Sequence, residues 1–153
     1  MTATEIIKII LSGMFGTVGF SILFKVKKER IFFIAIGGAL VTGTYLLSCH
    51  FTDYPLLQNL FPALTATIYS EIMARILKLP ATPVLTCSII SLVPGGKLYY
   101  TTYYLVMGDD ALFHQSLTET VEIAAGLAIG IICVSVVMHE INRQKFKHIL
   151  KMD

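Results

Sequence analysis

Between positions 6 and 138 the chain is five long apolar runs joined by short polar connections, and that pattern leaves few folds open. A helix that crosses a bilayer needs about 20 mostly apolar residues. The runs at 6–24, 31–49, 56–77, 81–107 and 117–138 meet that length. Lipid offers the backbone no hydrogen-bond partner, so such runs cross as helices that satisfy themselves. Charged residues make up only 14% of the chain, against about 25% in a soluble domain. The expected fold is an all-α integral membrane protein with about five transmembrane helices. Residues 1–138 form the membrane domain and residues 139–153 a basic cytoplasmic tail.

The first run is expected to stay as a span. Its start lacks a basic cluster, contains Glu5, and is followed by no evident cleavage site. Lysine and arginine mark the cytoplasmic side of a membrane protein. With the KVKKER connection (25–30) placed inside, five alternating spans bring Arg75, Lys78, Arg143, Lys145, Lys147 and Lys151 to the same side. Ten of the twelve basic residues then lie there, and Asp53, Asp109 and Asp110 lie opposite. The expected orientation has the N-terminus outside and the C-terminus in the cytoplasm. Glu119 and Glu122 begin the fifth run and read as charges at a helix N-terminus.

Several features read as packing. Small residues let helices approach closely in lipid. Gly13, Thr17 and Ser21 mark such a face on span one, Ala35, Ala39 and Gly43 on span two, and Gly126 and Gly130 on span five. Self-association through that last pair is an alternative. Cys49, Cys87 and Cys133 are far apart in apolar runs and read as buried apolar residues. No metal-ligand cluster, phosphate loop or Ser/His/Asp set is visible, so neither enzyme chemistry nor a cofactor is expected. In the tail, Phe146, Ile149 and Leu150 share one helical face, suited to the membrane surface or a partner. A solvated continuation of the fifth helix is the alternative.

The fourth run is interrupted by LVPGG (92–96) and then Lys97. Proline removes a donor and glycine weakens a helix, so the helix is expected to break at Pro94–Gly96. Residues 81–93 cover about 20 Å as helix and residues 97–107 about 16 Å. Neither half crosses a core of about 30 Å, but together they do. The break therefore falls near mid-membrane, where irregular backbone survives only against protein or a water-filled cavity. Transporters use broken helices in this way. The amides of Gly95, Gly96 and Lys97 open the second half-helix and favour an anion. With the Lys97 ammonium beside them they form a candidate site for a substrate carboxylate. A simple proline kink is the competing reading. Tyr99 is placed to line such a cavity, whereas Tyr103 and Tyr104 suit the membrane interface.

Glu71 and Arg75 form the other charged feature inside a span. Their i, i+4 spacing suits an ion pair that neutralises itself for insertion. The other reading gives Arg75 to substrate and Glu71 to proton coupling.

The run EIMARILKLPATPVLTCSIISLVPGGKLYYTTY (71–103) resembles the threonine/serine exporter family. The matching features are E-x-x-A-R, the following Pro80, and LVPGG with Tyr99 three residues on. GFSILFKV (19–26) also resembles that family. The short chain is similar to the small membrane subunit of its split, two-protein members. Two positions depart: Ser91 stands where a proline often precedes LVPG, and Lys25 where a smaller polar residue is expected. The resemblance implies an inner-membrane exporter of small carboxylates, either amino acids such as threonine and serine or dicarboxylates such as succinate, driven by proton-motive force. It implies a larger membrane subunit as partner, in the lipid bilayer, with homo-oligomers also open. It places Glu71, Arg75, Pro94, Gly95, Gly96 and Tyr99 at the family's motif positions. Lys97 is a candidate on physical grounds alone. The rival functions are a non-transporting scaffold subunit and a passive channel.

Overall fold

In the computed structural model of the protein, residues 3–149 are described. They form α1 (Ala3–Leu23), α2 (Lys28–Phe51), α3 (Pro55–Leu77), α4 (Ala81–Ile89), a short 3-10 turn (Ile90–Leu92), α5 (Gly95–Met107) and α6 (Asp110–Ile149), with no strand among the described residues. Helices α1, α2, α3 and α6 are each long and apolar enough to cross a membrane. The segments Ala81–Leu92 and Gly95–Met107 pass that test only together, bent by 51° at the break. The protein is an all-α membrane protein whose fourth apolar run is broken at Pro94.

Tight turns set the helix ends. Lys25 and Lys78 end α1 and α3 in the left-handed region, with φ of 53° and 50°. Gly108 does the same after α5, with φ of 73°. At the first turn, Lys25 N–H donates to the Ile22 carbonyl and Val26 N–H to that of Ser21. This pairing satisfies carbonyls that a helix end leaves open. Helix α6 starts at Asp110, ahead of the apolar run at 117, because the Asp109 carboxylate caps it through Leu112 N–H at 3.1 Å. Glu119 and Glu122 consequently lie more than two turns inside the helix, so their reading as N-terminal charges is corrected.

Helices α2 and α3 are central: α2 packs on α1 and α3, while α3 packs on α6 and α4. Helix α5 rests mainly on α6. The packing uses small residues. A methyl group on Gly13 would collide with Thr42, one on Gly38 with Thr17, and one on Gly37 with Tyr69 and Ser88. The expected face of span two is thus shifted. Ala35 is buried, but Gly43 faces open space, and Gly37, Gly38 and Thr42 make the close contacts. Gly126 lies on the Leu56 and Leu60 backbone and Gly130 on Ala63. That pair is occupied by α3 of the same chain, which corrects the alternative of self-association through it.

The core between these helices is small and partly polar. Val41, Ala66 and Leu92 form one buried cluster, and Ile34, Val84 and Cys87 another. Buried hydroxyls bond the carbonyl one turn back, as Thr17 does to Gly13 at 2.8 Å and Thr67 to Ala63 at 2.8 Å. Such self-satisfaction lets hydroxyls sit in a dry interior. Cys133 faces outward and is not buried as expected. Phe146 and Ile149 fall on α6, but the tail stripe is not tested, because their side chains and the whole of Leu150 lie outside what is described.

The glycine contacts differ sharply in their tolerance. Gly126→Ala is expected to destabilise the protein by about 1–3 kcal/mol through overpacking against backbone. Gly16→Ala, which meets nothing within 4 Å, should be neutral or slightly stabilising. Thermal unfolding of the two variants in detergent checks the contrast.

Candidate functional site

The break opens a cavity of about 420 Å³ between four elements. Residues 91–97 form one side of it. Tyr45 of α2, Asn59 of α3, Tyr100 of α5 and Ile123 of α6 complete the wall. Leu92 is buried in the core and anchors the chain just before it turns. Pro94 then precedes α5 with φ of −78° and ψ of 52°, outside helical geometry. The expected trio of free amides is reduced by one. Gly95 N–H donates to the Val93 carbonyl at 2.8 Å. Gly96 and Lys97 remain as first-turn amides without an intrahelical acceptor.

The glycines at the break act through the space they leave. Neither Gly95 nor Gly96 has positive φ. A methyl group on either would meet nothing within 4 Å. They do not permit a close approach of helices. They leave space in front of the half-helix N-terminus.

Lys97 is not alone. Its ammonium forms an ion pair with the Glu119 carboxylate of α6. Gln115 Nε2 donates to the other Glu119 oxygen at 3.1 Å. One turn further along α5, Thr101 Oγ1 lies 3.3 Å from Thr120 Oγ1 and donates to the Lys97 carbonyl at 2.8 Å. These contacts tie the start of α5 to α6. A second cavity, of about 200 Å³, continues from Lys97 and Tyr100 past Glu119 towards Gln115 and Leu112. Lys97 therefore borders both cavities, and Glu119 borders the second. Sequence reading missed Glu119. The signal was an acid inside an apolar run with no basic residue one turn away on its own helix.

A family model described as Threonine/Serine exporter, ThrE, matches residues 9–137, which takes in the break and both walls of the cavity. The chain belongs to this exporter family. Searches of curated proteins and of solved structures returned no match. The candidate site residues do not all come together. Pro94, Gly95, Gly96 and Lys97 come together at the cavity. Glu71 and Arg75 do not join them. They pair with each other at 3.6 Å on α3, about 18 Å (Glu71) and about 24 Å (Arg75) along the helix from Asn59 at 1.5 Å per residue. Tyr99 is two-thirds exposed and stacks on Tyr103, and it is Tyr100 that lines the cavity. Asn59, buried with its amide donating to the Pro55 carbonyl at 2.9 Å, is the polar group that α3 contributes.

The Lys97–Glu119 pair joins α5 to α6 through two partly exposed side chains. Lys97→Ala and Glu119→Ala are each expected to lower stability by about 1 kcal/mol, a figure kept small for partial exposure. The double substitution should cost less than the two added together. A double-mutant cycle on thermal unfolding measures the difference.

Proposed function

We propose that the chain is the membrane subunit of a secondary exporter for small carboxylate-bearing metabolites, working by alternating access around the break at Pro94. The cavity at the break carries this reading. Its volume is in the range of small-molecule sites, about 300–1,000 Å³. It offers two helix-start amides and a lysine to a carboxylate, which are the groups an anion needs. Glu119 offers a negative group beside them. An amino acid carries both charges, so its carboxylate suits Lys97 and the amides while its ammonium suits Glu119. A dicarboxylate such as succinate would have to displace or neutralise that acid. The pair favours the amino-acid reading, with threonine and serine as first candidates.

The finer assignments are part of the same proposal. The protein works in the inner membrane with its N-terminus outside, on the distribution of basic residues. A larger membrane subunit of the same family completes the transporter. Glu71, held beside Arg75, is the candidate proton carrier, and proton-motive force the drive. Tyr99 and Arg75 then act when the partner or another state of the cycle brings them to substrate.

Efflux of preloaded labelled threonine and succinate tests the proposal, with the chain alone, with the larger subunit, and with Gly96→Leu in the pair. Only the intact pair should export, with threonine ahead of succinate. Gly96→Leu fills open cavity space, so export should fall at least about tenfold while membrane insertion and complex yield persist. Undiminished export in that variant would place the site elsewhere. Loss of the complex itself would favour the scaffold reading.

The proton role has its own check. Glu71→Gln should flatten the pH dependence of efflux. An unaltered pH profile removes Glu71 from the coupling path.

A further inference from the structure

A third pocket lies at the opposite end of α1 from its N-terminus, where the α1–α2 and α3–α4 turns meet. It encloses about 200 Å³. Lys25, Lys27 and Arg30 line one side. Ile34, Leu79, Pro83 and Val84 form an apolar wall on the other. Glu29, the acid in the first turn of α2, is not among the lining residues. Among the described residues none of the three cations is in an ion pair. Three positive charges therefore converge on one concavity without internal neutralisation.

Local structure shapes that field. Helix α2 opens at Lys28 after Lys27, with no side-chain cap and with Glu29 in its first turn. Arg30 N–H donates to the Lys27 carbonyl at 2.9 Å, which leaves the Lys28 and Glu29 amides at the positive end of the helix. Lys25 occupies a left-handed cap, the position that glycine holds without strain. Gly108 fills the equivalent position after α5. A lysine at such a cap carries backbone strain that glycine would avoid, and what it contributes in return is a charge at the pocket.

We propose that this pocket binds the anionic headgroup of a phospholipid. The chemistry recognised is a phosphodiester oxygen pair: Arg30 supplies a planar fork and the lysines point charges. A free phosphate ion shares that chemistry. The lipid is favoured by the apolar wall, which a soluble ion does not use and an acyl chain does. The pocket also sits at the ends of membrane-spanning helices, where headgroups lie, and basic pockets between such helices are recurrent headgroup sites.

The test uses the purified full chain in dodecyl maltoside. Phosphatidylglycerol, phosphatidylcholine and inorganic phosphate are added separately at equal concentrations, and the thermal midpoint is read. Phosphatidylglycerol should raise the midpoint by several degrees, and the other two should leave it within error. The combined Lys25→Gln, Lys27→Gln and Arg30→Gln variant should respond to phosphatidylglycerol no more than to phosphatidylcholine. Should that variant fail to fold, Lys27→Gln alone should weaken the apparent affinity about fivefold. An equal response to phosphatidylcholine overturns the proposal. So does a response to inorganic phosphate that matches the lipid, which would identify a soluble-ion site. A full phosphatidylglycerol response in the triple variant, or unchanged affinity in Lys27→Gln, overturns it as well.

Discussion

A peptide group that leaves a helix inside a packed bundle must be satisfied by protein or by water, and the segment around Pro94 is organised by that demand. Leu92 is fixed in the core, Gly95 N–H turns back to Val93, and the next two amides face a cavity. The cavity follows from the break: amides without helical acceptors need a polar space in front of them. The side chains that line it then have a reason to be polar. Asn59, Tyr45 and Tyr100 each come from a different helix, and each brings a group able to meet water or substrate.

Holding that space open requires a rigid surround. The close glycine contacts provide it, with Gly38 against Thr17, Gly37 against Tyr69 and Ser88, and Gly126 on the α3 backbone. These contacts keep α1, α2, α3 and α6 at short separations where lipid gives no hydrophobic drive. The glycines at the break work in the opposite sense. A methyl group on Gly95 or Gly96 would touch nothing, so their lack of a side chain preserves volume. One residue type thus closes the scaffold in one place and keeps the site empty in another.

What the sequence made legible was local. Apolar length revealed the spanning segments, the Pro-Gly-Gly revealed the break, and i, i+4 spacing revealed the Glu71–Arg75 pair. Each depends on residues close together in the chain. The long-range features were out of reach. The face of α2 was misplaced because Ala39 and Gly43 are as small as Gly38 and Thr42, and only the partner helix decides which are used. Glu119 was read as a terminal charge because Asp110 and the polar run His114–Ser116 hid the true start of α6. Its partnership with Lys97 spans 22 positions, and no periodicity connects them. The departure at Lys25 was visible as an oddity, but only the left-handed turn and the neighbouring pocket give it a physical context.

Helix α5 leans on α6 and on little else, and α6 continues without interruption from Asp110 to Ile149. At 1.5 Å per residue that is a rod of about 60 Å, roughly twice the thickness of the hydrocarbon core. A helix of that length extends well beyond α3, whose 23 residues pack along it. Glu119 and Ile123 therefore belong to the same helix that makes the close contacts at Gly126 and Gly130. The ion pair, the cavity wall and the close packing on α3 share one element, so a change in the position of α6 would alter all three together.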